Sequence, residues 1–234
     1  MPYYYWWTPW DLLLIPGLLL GLYAQFKLMS AYGKYLEVPV ESGMTGAEAA
    51  RHILDKAGLT DMPIEVTEGR LTDHFDPIKK ALFLSEENYE GRSISAVSVA
   101  AHEAGHALQQ QASYNMFNLR MLMVPATKFA SFTWMVLFFI GLILRGPYSY
   151  TLMGIAIGIF SVITLFQLVT LPVEFDASRR AKIKLQELGL VTTAESPAVS
   201  TVLDAAAMTY VAGLVSAVMQ LLRLIMIANS RDRD

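Results

Sequence analysis

The chain has 234 residues, 54% of them hydrophobic and only 17% charged, against roughly 25% charged in soluble proteins. Its net charge of −3 excludes a basic field for nucleic acid, and the lack of cysteine excludes disulfides, thiolate metal sites, iron–sulfur clusters and a cysteine nucleophile. The length allows one or two domains, and the composition points to a membrane protein.

A helix needs about 20 mostly apolar residues to cross the hydrocarbon core. Trp6 to Phe26 is the first such stretch. Its start, YYYWWTPW, is expected to sit at the headgroup level, where Trp and Tyr concentrate. No Lys or Arg precedes it and no small-residue cleavage site follows, so it reads as a retained span rather than a signal peptide. Thr45-Gly46-Ala47-Glu48 has capping-box spacing and predicts a helix from about Gly46 to Ala57 that stops at Gly58. PIEVTE and ALFLS then read as two short strands of a hairpin, flanking the turn-rich GRLTDHFDPIKK. A second helix begins near Ser93 or Ser95 and runs to about Gln111, with Ile94, Val97, Ala101, Ala104, Ala107 and Leu108 recurring on one side.

Three more spans follow, at Met121–Leu144, Gly146–Val173 and Ala205–Leu222. In the last, Ala212 with Ser216 and Gly213 with Ala217 permit close helix packing. Helix is expected to continue past Pro172 and to end at Gly189. The expected organisation is a first span at 1–28, a catalytic domain at 29–118, spans at 119–145 and 147–173, a return to the catalytic domain at 174–204, and a last span at 205–228. Four crossings put both ends on one side of the membrane and the two polar segments on the other. Lys27, Lys34, Arg120, Lys128, Arg179, Arg180, Lys182 and Lys184 flank the polar-segment side, and Arg145, Arg223, Arg231 and Arg233 the opposite one. Because cytoplasmic loops carry the excess of Lys and Arg, the polar segments are expected in the cytoplasm.

The stretch AAHEAGHALQQ carries the chemistry. Residues four apart on a helix share a face, so His102 and His106 can present two imidazoles to one zinc ion. Glu103 is rotated about 100° from His102 and can act as general base toward water acidified by the metal. At this composition the chance expectation of H-E-x-x-H is on the order of a few per thousand. A catalytic zinc has three protein ligands and an open position. His52, His74 and the carboxylates are the remaining candidates, and His52 is expected to be structural. Glu174 follows the third span and emerges on the same side as His102 and His106.

H-E-x-x-H on a helix, followed after a membrane hairpin by Glu174-Phe-Asp-Ala-Ser178, resembles the gluzincin membrane proteases of the HtpX and CAAX-prenyl types. LLLIPGLLLGLYAQ, GMTGAEAARHIL, LTDHFDP, VAAHEAGHALQ, PVEFDASRRA and LDAAAMTYVAG are similar to the YugP-type bacterial membrane zinc metallopeptidases, a resemblance over nearly the whole chain. It implies a mainly α membrane protein of the bacterial inner membrane. Four transmembrane helices would carry a small α+β gluzincin-like catalytic domain (helix, short β-hairpin, HExxH helix) on one membrane face. It also implies Glu174 as third ligand beside His102 and His106. Where the HtpX-type pattern has an Asp that supports a ligating histidine, this chain has Ser178; its hydroxyl can accept the same hydrogen bond, and Asp176 or Asp204 are the alternatives. His74 is a candidate for stabilising an oxyanion or capping the zinc, against a plain turn, and Tyr210 is a second oxyanion candidate against a buried structural tyrosine.

The leading function is a membrane-embedded zinc endopeptidase acting on peptide or membrane-associated protein substrates, with one zinc per chain. The substrate is expected to add as a strand beside Ala81–Ser85. A non-catalytic scaffold or regulatory subunit with a zinc site is the alternative outside enzymology, and a site-2-type intramembrane protease the alternative within it. Whether a membrane partner or a second copy is needed stays open.

Overall fold

The computed structural model describes residues 8–144 and 146–231. Most of the aromatic anchor, Tyr3 to Trp7, lies outside them. A 3-10 turn at Pro9–Leu13 leads into α1 (Leu14–Leu36), followed by α2 (Gly46–Lys56), β1 (Ile64–Thr67), β2 (His74–Asp76), β3 (Ala81–Ser85), a short α3 (Glu86–Tyr89) and α4 (Ile94–Gln111). Three long helices complete the chain: α5 (Asn115–Ile143), α6 (Pro147–Glu187) and α7 (Ser196–Arg231).

Among the described residues, four segments are long and apolar enough to cross a membrane: Pro9–Leu36, Asn115–Ile143, Pro147–Glu187 and Ser196–Ser230, each with an 18-residue window whose mean hydropathy is 1.7, 1.7, 2.3 and 2.0 respectively. At 41 residues α6 is about 60 Å long, twice the hydrocarbon thickness of roughly 30 Å. The helix runs through Pro172, and Gly189 beyond its end takes the left-handed conformation (φ 65°) that favours glycine.

The chain divides into two compact units. The first comprises residues 1–23, 119–171 and 210–234. Its core is Phe138, Met153, Ala156, Phe160, Leu224 and Ile227, with Trp134 edge-on to Phe160 at 4.8 Å. A Cβ on Gly17 would lie 2.9 Å from the Ser216 Cα, so α1 and α7 pack backbone to backbone there. Asp11, in the 3-10 turn, accepts from Arg223 Nε of α7 at 2.5 Å.

The second unit comprises residues 24–118 and 172–209. Thr45 accepts from the Glu48 amide and Glu48 accepts from the Thr45 amide, the reciprocal capping box the spacing predicts. The α2 helix buries Ala49, Ala50, Ile53 and Leu54 and stops before Gly58 (φ 79°). The sheet corrects the expected hairpin. The segment read as a connection contains β2, and the strand order is β1-β3-β2. PIEVTE and ALFLS are paired in parallel, Ile64 beside Leu82 through Thr67 beside Ser85. The hairpin is instead β2 with β3, His74 beside Phe83 through Asp76 beside Ala81. A parallel pair needs a crossover rather than a turn, and β2 lies within it. Ala81–Ser85 is thus the central strand, paired with β1 over Leu82–Ser85 and with β2 over Ala81–Phe83, rather than an edge to which a strand could add. The free edges belong to β1 and β2.

Candidate metal centre

Ser93 caps α4 by accepting from the Ala96 amide, so the helix begins where its first turn would otherwise leave donors unpaired. Two turns on, His102 and His106 project from one face, their rings 4.8 Å apart and nearly perpendicular. Gly105 lies between them. A Cβ there would stand 2.6 Å from the Ala177 carbonyl oxygen, so only glycine lets α6 lie this close to α4. That approach brings Glu174, 1% exposed, to both imidazoles. Its Oε2 is 3.2 Å from His102 Nε2 and 3.5 Å from His106 Nε2.

These three residues offer ligand atoms that all lie within 4.8 Å of one another. Tetrahedral ligands at 2.0–2.1 Å from zinc stand about 3.3 Å apart. The two separations from Glu174 to the histidines lie near that spacing, and two imidazoles with one carboxylate are a donor set that zinc takes. The residues therefore fit the ion.

The other ring nitrogens are also engaged. His102 Nδ1 is 3.1 Å from Ser178 Oγ, and His106 Nδ1 is 3.0 Å from Gln109 Oε1. Asp176 does not reach a histidine directly; it accepts from Gln109 Nε2 and from Arg179 and Arg180. Asp204 is exposed and pairs with Lys182 at 2.6 Å, so it supports no ligand. Glu103 is buried and turns its carboxyl to the Phe75 backbone N–H, which donates to it. Burial pushes this carboxyl up to about 7; His102 opposes the shift, while the negative charges of Glu174 and Asp73 add to it.

His74 is exposed on the face of β2 opposite to Phe75, stacked on Phe83 at 4.9 Å with Nδ1 2.8 Å from the Thr72 carbonyl oxygen. Phe75 faces inward, 6.4 Å from Phe117, which in turn lies 6.3 Å from the His106 ring. Asp73 anchors the start of β2 by accepting from Ser85 and Asn88. Tyr210 lies half-buried in α7, within the first unit. His52 lies on α2, half-buried and outside the cluster. The sequence reading assigned nothing to Gln109, although it sits three residues after His106, one turn along the same face.

Residues 10–229 match the family described as "Putative neutral zinc metallopeptidase". The chain is also 48% identical over 223 residues to the "Putative membrane protease YugP" of Bacillus subtilis, a match covering 95% of this chain and 98% of that protein. No solved structure matches the chain. With one match spanning nearly all of its length and another nearly all of a relative's, this chain belongs to the family described as "Putative neutral zinc metallopeptidase".

Proposed function

We propose that the chain is a membrane-embedded zinc endopeptidase of the gluzincin type, cleaving peptide bonds at the cytoplasmic membrane surface. The observation that carries the reading is the convergence of His102, His106 and Glu174 beside a buried Glu103. His102 Nε2, His106 Nε2 and Glu174 would hold one zinc ion, which when bound supplies Lewis acidity toward a peptide carbonyl and toward water. Three protein ligands are the number used in catalytic rather than structural zinc sites.

Glu103 is the proton carrier. It takes the proton released as water adds to the carbonyl carbon and gives it to the amine nitrogen as the C–N bond breaks. Burial raises this carboxyl above the ordinary carboxylate range, which suits a group that must both accept and return a proton at neutral pH. The Phe75 amide that donates to Glu103 places β2 beside the reacting groups. The excess of Lys and Arg beside the polar segments supports a cytoplasmic catalytic domain, assigned to residues 29–118 and 174–204.

The test is zinc content and casein hydrolysis of the detergent-purified chain and of Glu103→Gln. Zinc should be retained in the variant, and hydrolysis should fall by about 100-fold to 10,000-fold, the worth of a general base. Zinc-loaded wild type without hydrolysis would favour a scaffold. Loss of zinc in Glu103→Gln would make Glu103 a ligand.

A further inference from the structure

The outer partner of His106 is an amide whose orientation can be decided by chemistry alone. Gln109 is fully buried. One end of its amide faces the Val173 carbonyl oxygen at 2.7 Å and Asp176 Oδ2 at 3.0 Å. Both are acceptors. Only the NH2 group can satisfy them, since a flipped amide would set an oxygen against two oxygens in a buried site. The carbonyl oxygen is thereby committed to the other end, 3.0 Å from His106 Nδ1. An amide oxygen has nothing to donate, so the hydrogen bond exists only if His106 Nδ1 carries the proton.

We propose that Gln109 is a positioning residue that locks His106 in the Nδ1-protonated tautomer, through a chain that runs from Arg180 and Asp176 to Gln109 and then to the imidazole. A neutral imidazole has one ring proton, so this lock leaves the Nε2 lone pair bare. Nε2 is the nitrogen that faces Glu174. Asp176 has the charge and the fixed place to hold the amide, since Arg180 Nε reaches the same Oδ2 at 2.5 Å and Arg179 the other oxygen. The direction is fixed at the far end, because the Asp176 carboxylate can only accept and the two arginines can only donate.

His102 is held differently. Its Nδ1 faces the Ser178 hydroxyl, which donates or accepts with equal ease and so dictates neither tautomer. The two ligand histidines thus differ in kind, one preset and one adaptable. The inference rests on the proposed zinc site, yet its main readout needs neither zinc nor peptide cleavage.

The experiment is nitrogen NMR of the ring nitrogens of full-length Glu174→Ala protein in detergent, labelled at histidine and stripped of metal with a chelator; the substitution is needed because without zinc the Glu174 carboxylate accepts from Nε2 and competes with Gln109 for the ring proton. It is run well above the ordinary histidine pKa of about 6.5, so that the rings are neutral. With four histidines in the chain, His106 is assigned by its loss in His106→Gln. His106 should show a protonated Nδ1 and a bare Nε2. In Gln109→Met, which keeps length and removes the acceptor, the ring should shift toward the Nε2-protonated form. Zinc affinity measured against a competing chelator should fall by roughly 10-fold to 100-fold. Ser178→Ala should leave the His106 signals in place. With Glu174 removed and Gln109 intact, a His106 protonated at Nε2 overturns the proposal, as does Gln109→Met with an unchanged tautomer in that background and unchanged zinc affinity in the presence of Glu174. The expected tautomer, together with a wild type that binds zinc but cleaves nothing, would sink the peptidase reading and leave this one standing.

Discussion

The two units place their polar and apolar groups in opposite ways. In the unit of residues 1–23, 119–171 and 210–234, the large apolar side chains lie outside: Leu18, Leu122, Phe129 and Phe132 are 61%, 77%, 68% and 67% exposed. In the unit of residues 24–118 and 172–209, the polar groups lie inside: Ser85, Asn88, Ser95, Ser98, Gln109 and Glu174 are all buried. Water would penalise the first surface, and lipid does not. The second interior is tolerable only because its groups are paired, with Ser85 and Asn88 on Asp73, Ser95 on the Tyr32 carbonyl and Ser98 on the Ile94 carbonyl. One unit is therefore shaped by its solvent and the other by a site, and substitutions in the two should fail for different reasons.

The largest effect is expected at Glu174. Glu174→Ala removes the proposed third ligand beside His102 and His106. Zinc affinity should fall by more than the roughly 100-fold that loss of an outer partner costs, while the far-ultraviolet circular dichroism of the helices is kept. Zinc bound as tightly in Glu174→Ala as in wild type would move the third ligand elsewhere and with it the distinction between the units.

Charge placed on an exposed apolar position separates lipid from water. Phe132→Arg, midway along α5, should oppose membrane insertion by about 2.5–3.5 kcal/mol. Ile78→Arg, at a position 88% exposed in the turn between β2 and β3, should be neutral. Because the chain has no cysteine, single introduced cysteines report which side each segment faces and whether α5 has inserted. Equal tolerance at both positions would mean that α5 is not lipid-facing there.

How much of this was legible in the sequence follows from the range of the interactions involved. The caps at Thr45 and Ser93 and the stops at Gly58 and Gly189 are local chemistry, and the helices begin and end accordingly. The apolar runs revealed the four long helices for the same reason. The sheet was not legible. The three-residue β2 is too short to show a period of two, and nothing local in ALFLS says that its neighbour across the sheet runs parallel. The two histidines were legible as a spacing, but their orienting groups were not, because those come from α6, more than 60 residues away in sequence. Ser178 stands out in the sequence by its place in a motif. Gln109 does not, since a glutamine at the end of a helix ordinarily faces water, and only its complete burial in the fold sets it apart.

The smallest effect should come from adding one methyl group, and it tests the two units side by side. At Gly154, in α6 of the first unit, a Cβ meets nothing within 4 Å. Gly154→Ala should be neutral or stabilise the helix by up to about 1 kcal/mol through propensity alone. At Gly105 the same methyl group meets the Ala177 carbonyl oxygen at 2.6 Å, and a backbone atom inside a helix cannot rotate aside. The same propensity gain is then outweighed by an overpacking cost of about 1–3 kcal/mol. The helices relieve the clash by separating, which carries Glu174 away from His106. Gly105→Ala should therefore bind zinc more weakly than wild type while staying folded, and the loss should be smaller than in Glu174→Ala. Wild-type zinc affinity in Gly105→Ala would mean that the ligands do not depend on the close approach of α4 to α6, and the geometry of the site would need another source.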